Sequence, residues 1–280
     1  LEGDVKNITK ENDPRIGVEF QGDELKVLEC KIDNNRGEII SRTKSSNLGL
    51  ICLMANNIKC GDQYDSSYEQ NDKSVSHVFN IKAEKNKVID FEKYIVYKSY
   101  KNELNDNLYS EVIGIVEEAF TKKYDFYKQK QKEFIDNFWF NTDILIDGDD
   151  ATQQGIRFNM FHLLQSVGRD SLTNISAKGL TGEGYEGHYF WDTEIYILPF
   201  FLYTNPDIAK QLVNYRYNLL DSARKRAKEM QYKKGALYPW RTINGEECSA
   251  YFPAGTAQYH INGDIAYTVC KYVEATNDEE

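Results

Sequence analysis

Between Gly182 and Glu194 the chain reads GEGYEGHYFWDTE, which places three glycines, four aromatic rings, one histidine and four carboxylates within thirteen residues. A saccharide ring offers apolar C–H faces edged by hydroxyls, so a flat ring next to a carboxylate is a pairing that can grip one. Trp191 followed by Asp192 supplies that pairing, with His188 and Tyr185 close by, and Gly182, Gly184 and Gly187 permit the sharp turns such a loop needs. The same residues also suit an apolar helix entrance with Asp192 as its N-cap, and residue type alone leaves both readings open.

A second stretch, ALYPWRTINGEECSAYFPAGTAQYH from Ala236 to His260, again joins Tyr, Trp and Arg to carboxylates, here Glu246 and Glu247 directly after Gly245. Cleaving a glycoside requires a carboxylic acid beside the departing oxygen, kept protonated near neutral pH by burial among apolar groups. Either glutamate could be that acid, and an exposed, solvated pair is the plain alternative. His260 and Asp264, in YHINGDI, either face the same cavity or stabilise a helix.

These loops need elements to hold them. From about Arg15 to Tyr100 the chain alternates apolar and polar residues in short runs: IGVEF, ELKVLECKI, GEIISRT, LGLICLMA, VSHVFNIKA and DFEKYIVYKS. Such runs predict antiparallel sheets with one buried face, as in a β-sandwich. Helical spacing of Val112, Val116, Phe120, Tyr124, Phe134 and Phe138 predicts a long helix over 111–138, without Gly or Pro in its later part, acting as a stiff connector. Further helices are expected over 153–167, 194–203, 206–230 and 258–274, the third with Asn205 as N-cap and Pro206 in its first turn.

Composition narrows the function. The chain has 280 residues, 41% hydrophobic and 13% aromatic, enough for a sizeable core, and a formal charge of −10 that disfavours nucleic-acid binding. No apolar run approaches a membrane span and the first residues do not read as a secretory signal, so a cytoplasmic location is expected, with no membrane partner. Five scattered cysteines show no metal-ligand spacing, so neither a metal nor a disulfide framework is expected, and the thiols should be free and mostly buried. The chain reads as cut at both ends.

Together the segments QGIRFNMFHLLQS, GYEGHYFWDTEIYILPF, ALYPWRT and GEECSAYFPAGTAQYHINGDIAY resemble, in order, glycoside hydrolase family 65, which holds inverting maltose, kojibiose, trehalose and nigerose phosphorylases and related hydrolases. The resemblance is firm over 109–274 and looser over the strands. It implies a multidomain fold: part of an N-terminal antiparallel β-sandwich over 1–108, a helical linker over 109–145, and the first part of an (α/α)6 catalytic barrel over 146–280. It further implies that Trp191 and Asp192 hold the glucosyl unit and that Glu247, rather than Glu246, is the general acid. Tyr185, His188, Trp240 and Arg241 then line the same pocket. The implied reaction is phosphorolysis of an α-linked glucosyl disaccharide to β-glucose 1-phosphate, with inorganic phosphate as co-substrate and no other cofactor. GTAQYHIN looks closer to the kojibiose, trehalose and nigerose types than to the maltose type. Homodimers are common in the family, and the residues that would separate a phosphorylase from a hydrolase lie after Glu280. The chain alone is therefore expected to be inactive, and the alternatives are a family 65 α-glucoside hydrolase using a downstream base and a non-catalytic carbohydrate-binding remnant.

Overall fold

The computed structural model of the chain describes residues 25–33, 36–44, 46–61, 63–101, 103–182, 184–249 and 257–279. The expected strand IGVEF and residues 250–256 of the second loop lie outside them. The described residues divide into two compact units that meet in sequence between Ile135 and Asp136.

In the first unit, β1 (Leu25–Asp33), β2 (Arg36–Thr43), β3 (Gly49–Cys60) and β6 (Ile89–Tyr100) form an antiparallel sheet in the order β1-β2-β3-β6, and β4 (Tyr64–Gln70) pairs with β5 (Val75–Ile81) in a separate ribbon. The expectation of one buried face fails for the centre of this sheet, because β2 and β3 are covered on both sides, as the near-continuous apolar run LICLMA anticipates. Ile40, Ile51, Leu53 and Ala55 pack on Val112 and Val116 of the following helix. On the other side the ribbon comes so close that a Cβ on Gly37 would lie 2.8 Å from Cγ1 of Val75. Glu38 points toward the helix side and is 1% exposed, with the Tyr109 hydroxyl donating to it at 2.7 Å and Lys31 at 3.4 Å. β4 was not expected: YDSSYEQ lacks branched apolar residues and is largely exposed, and only Tyr64 and Tyr68 hint at it.

Helix α1 (Asp106–Thr142) opens where Asn105 Oδ1 accepts from the Leu108 amide at 2.9 Å, and it outruns the expected 111–138 at both ends. It is not an uninterrupted rod. Lys123 has φ 62° and ψ 176°, a break in the helical path that neither Gly nor Pro announces.

The second unit is helical. Asp149 caps α2 (Asp150–Ser166) by accepting from the amides of Ala151 and Thr152. A π-helical turn, Thr193–Ile197, runs into α3 (Leu198–Thr204). The single helix expected over 206–230 is two, α4 (Pro206–Asn218) and α5 (Leu220–Glu229), and α6 (His260–Thr276) ends on Asn277 in the left-handed region. Asn205 stands at the N-cap before Pro206, but its side chain makes no capping bond. Tyr215, Leu219 and Ala223 of α4, α5 and the residue between them meet Tyr238 and α6 residues Ile261 and Ile265 in one core cluster. Phe140, Leu145, Tyr196, Tyr203 and Tyr217 remain exposed. Against the expectation of mostly buried thiols, only Cys52 of the five cysteines is buried. No described helix is long and apolar enough to cross a membrane.

Candidate active-site cleft

The second unit holds a cleft of about 460 Å³ bordered by residues from both aromatic loops. Tyr185, Trp191 and Asp192 come from the first loop and Trp240 and Arg241 from the second; Ile175 to Ala177, Phe190, Thr193, Ile197 and Ser249 complete the wall. Both tryptophans lean on the cluster formed by α4, α5 and α6. The helix core therefore sets where each indole stands, and a local pairing sets the loops against each other. Tyr189 and Thr242 exchange two peptide hydrogen bonds, at 2.8 and 3.1 Å, as an antiparallel bridge.

Asp192 is exposed at the head of the π-helical turn, and its side chain makes no capping bond. That observation removes the N-cap explanation for it. Behind it, Glu194 is 2% exposed and takes two hydrogen bonds from Arg216 of α4, itself 2% exposed, from Nε at 2.7 Å and Nη2 at 2.8 Å. Arg216 Nη2 also donates to the Phe190 carbonyl at 3.0 Å, and Thr268 Oγ1 of α6 donates to the Glu194 carbonyl at 3.2 Å. Burial works against the Arg216 charge, but attraction to Glu194 and the bonds between them prevail and raise its pKa above the ordinary arginine value. The peptide segment that presents Trp191 and Asp192 is thus fastened at both ends to a buried ion pair. Sequence reading missed this pair, since partners 22 residues apart carry no spacing signal.

Arg241, 5% exposed, holds the first loop from the other side. Its Nη2 donates to Glu186 Oε2 at 2.7 Å and approaches the Tyr185 carbonyl at 3.4 Å. Tyr185 and Glu186 have φ of 62° and 52°, an unfavourable region for both residue types, and the arginine clamps that turn. His188 is placed outside the cleft lining. Its Nδ1 lies 2.9 Å from the Tyr185 carbonyl and 3.2 Å from Arg241 Nη2. Burial first, and the neighbouring Arg241 charge second, push the His188 pKa down.

Glu247 is also absent from the lining, although Trp240, Arg241 and Ser249 around it are present. Its carboxylate accepts three main-chain amides: Trp240 at 2.7 Å to Oε2, and Ser249 at 2.9 Å and Arg241 at 3.4 Å to Oε1. Glu246 is exposed and faces Lys225 at 3.5 Å, an ordinary surface pair. His260 stacks edge-on against Trp191 with ring centres 4.8 Å apart, and its Nδ1 lies 2.8 Å from Asp264. It therefore buttresses a residue of the cleft while also pairing along its own helix.

Residues 157–280 match the glycosyl hydrolase family 65 central catalytic domain, and residues 1–138 match the family 65 N-terminal domain. The chain belongs to glycoside hydrolase family 65. Among its relatives, an alpha,alpha-trehalose phosphorylase of Thermoanaerobacter brockii is 50% identical over 99% of this family 65 chain, and that overlap is 36% of the relative. A kojibiose phosphorylase of Halothermothrix orenii is 39% identical over 70% of the chain and 28% of its own length. A solved structure from the human microbiome, provisionally named a kojibiose phosphorylase, superimposes with a TM-score of 0.79 at 30% identity, over 91% of this chain and 34% of that one. The family 65 chain thus spans about a third of the length of the relatives it matches.

Proposed function

We propose that the chain forms the N-terminal part and one sugar-gripping wall of an inverting disaccharide phosphorylase, in which α2 to α6 belong to an (α/α)6 barrel. The observation that carries this reading is the convergence of Trp191 and Asp192 with Trp240 and Arg241 on one cleft. Indole faces suit the apolar side of a glucosyl ring, and the Asp192 carboxylate suits its hydroxyls. In the reaction a phosphate oxygen forms a bond to the anomeric carbon, the glycosidic C–O bond breaks on the opposite face, and the departing oxygen takes up a proton. The products are β-glucose 1-phosphate and glucose, and phosphate brings its own nucleophilic oxygen, so no second carboxylate is needed to activate water.

α,α-Trehalose is the disaccharide this reading favours, because relatives named for it match at 50% and 45% identity over 99% of the chain, against 39% over 70% for one named for kojibiose. The test incubates the full-length protein carrying this chain with trehalose or kojibiose, with and without inorganic phosphate, and follows the anomeric signals by NMR. Phosphate-dependent β-glucose 1-phosphate is the expected product. Glucose released equally well without phosphate points to hydrolysis, and no turnover of any α-linked glucobiose points to a sugar-binding remnant.

A further inference from the structure

We infer that Glu247 is a positioning residue, a clamp that shapes the second loop and so holds Trp240 and Arg241 in the sugar cleft, and is not the proton donor of the reaction. The inference rests on the function proposed above for its meaning, but on the loop's own hydrogen bonds for its substance.

Three peptide N–H groups of one irregular segment converge on the Glu247 carboxylate, those of Trp240, Arg241 and Ser249. None of these residues lies in a helix, and the backbone of Trp240 and Ser249 is in no sheet ladder, so the carboxylate does the work that regular structure does elsewhere. The rest of the segment is tied in the same inward manner. Cys248 N–H donates to the Arg241 carbonyl at 3.0 Å, Gly245 N–H to Thr242 Oγ1 at 2.7 Å and Glu246 N–H to Asn244 Oδ1 at 3.1 Å. The result is a closed loop with Glu247 at its centre and three cleft residues, Trp240, Arg241 and Ser249, on its rim.

A proton donor needs the opposite arrangement. It must carry a hydrogen on one oxygen and direct it at the substrate, whereas both oxygens of Glu247 accept from the main chain. Placing a proton on Oε2 would turn the acceptor that holds the Trp240 amide at 2.7 Å into a hydroxyl and weaken that bond. Protonation and clamping therefore compete in this carboxyl group. The clamp also reaches the first loop, since Arg241, whose main chain Glu247 binds, grips Glu186 and the strained Tyr185 turn with its side chain.

The test compares Glu247→Gln and Glu247→Ala in the full-length protein on a disaccharide and on α-glucosyl fluoride, each with inorganic phosphate. With the fluoride, the carbon–fluorine bond breaks as the phosphate–carbon bond forms, and fluoride leaves as an anion without needing a proton. A clamp predicts that Gln, which keeps one carbonyl acceptor, is much milder than Ala. It also predicts that the disaccharide KM rises about fivefold or more in Ala, and that both substrates lose rate by factors within about threefold of each other. A proton donor predicts that Gln is as damaging as Ala, with a loss of about 10²–10⁴-fold on the disaccharide and near-normal turnover of the fluoride; that result overturns the inference. Amide hydrogen exchange supplies a readout independent of turnover: in Glu247→Ala, or in Glu247→Gln should alanine fail to fold, the amides of 240, 241 and 249 exchange at least tenfold faster. Unchanged exchange there also overturns it. A wild-type protein inactive on both substrates refutes the proposed function, and the exchange result still decides on the clamp.

Discussion

Removing one partner of the Glu194–Arg216 pair puts the heaviest demand on the structural reasoning. Both side chains are nearly inaccessible, at 2% each, and they share hydrogen bonds of 2.7 and 2.8 Å, so neither can turn to water when the other is lost. Breaking a buried pair from one side costs about 3–5 kcal/mol, chiefly because the remaining charge is stranded. Glu194→Ala strands a guanidinium that already has a buried Nη1 without a partner among the described residues. All three tryptophans, Trp139, Trp191 and Trp240, lie in the second unit, so indole fluorescence follows the unfolding of that unit and not of the β-rich one. With a urea slope of about 2 kcal/mol/M, the fluorescence midpoint of Glu194→Ala is expected to fall by roughly 1.5–2.5 M. The double variant Glu194→Leu with Arg216→Met, which replaces the pair by apolar groups, is expected to regain most of that loss. A shift under about 0.5 M for the single variant, or a double variant no better than the sum of the singles, would refute the claim that this pair anchors the segment carrying Trp191 and Asp192.

Three further outcomes follow from the same coordinates. Trp191→Ala and Trp240→Ala are each expected to raise the disaccharide KM about fivefold to tenfold, corresponding to about 1 kcal/mol for a lost ring face, with fluorescence midpoints showing whether the fold survives. Gly245→Ala is expected to destabilise the second unit by about 1–3 kcal/mol, a fall of about 0.5–1.5 M in the same midpoint, because φ there is 97° and a Cβ would lie 2.9 Å from Ser222 Cβ and 3.0 Å from Leu219 Cδ2. His188 has a depressed pKa when folded, so as pH falls through about 6.5 the unfolded chain binds a proton that the folded one refuses. Stability of the second unit should therefore decline from about pH 6.5 downward until the folded pKa is passed, and His188→Gln should flatten that slope. Asp143, Asp149 and Asp170 have lowered pKa values as well, so their contributions disappear only in the more acidic range below the ordinary aspartate value, which keeps the two effects apart.

What the sequence disclosed and what it hid divide along physical lines. Aromatic residues beside acids in two glycine-bearing loops are legible as residue types, and the structure brings Trp191, Asp192, Tyr185, Trp240 and Arg241 to one cleft. The strands and helices with strong period were visible too. Side-chain direction was not: whether Glu247 faces a ligand or its own backbone depends on the turn that Gly245 makes possible, and nothing in GEEC states it. Buried charges were also hidden. Glu38 reads as a polar position in an alternating strand, and only its tertiary neighbours Tyr109 and Lys31 explain a carboxylate that is 1% exposed. The break at Lys123 contradicts local propensity, and nothing in the structure explains it.

The reciprocal peptide bonds between Tyr189 and Thr242 make the two tryptophan-bearing loops a single mechanical part, although 53 positions of chain separate those residues. Indole spacing is then a built-in gauge, unable to widen on one side while the other stays put. Damage at either rim propagates to its opposite number, so the energetic penalties of altering Trp191 and Trp240 together should depart from simple addition.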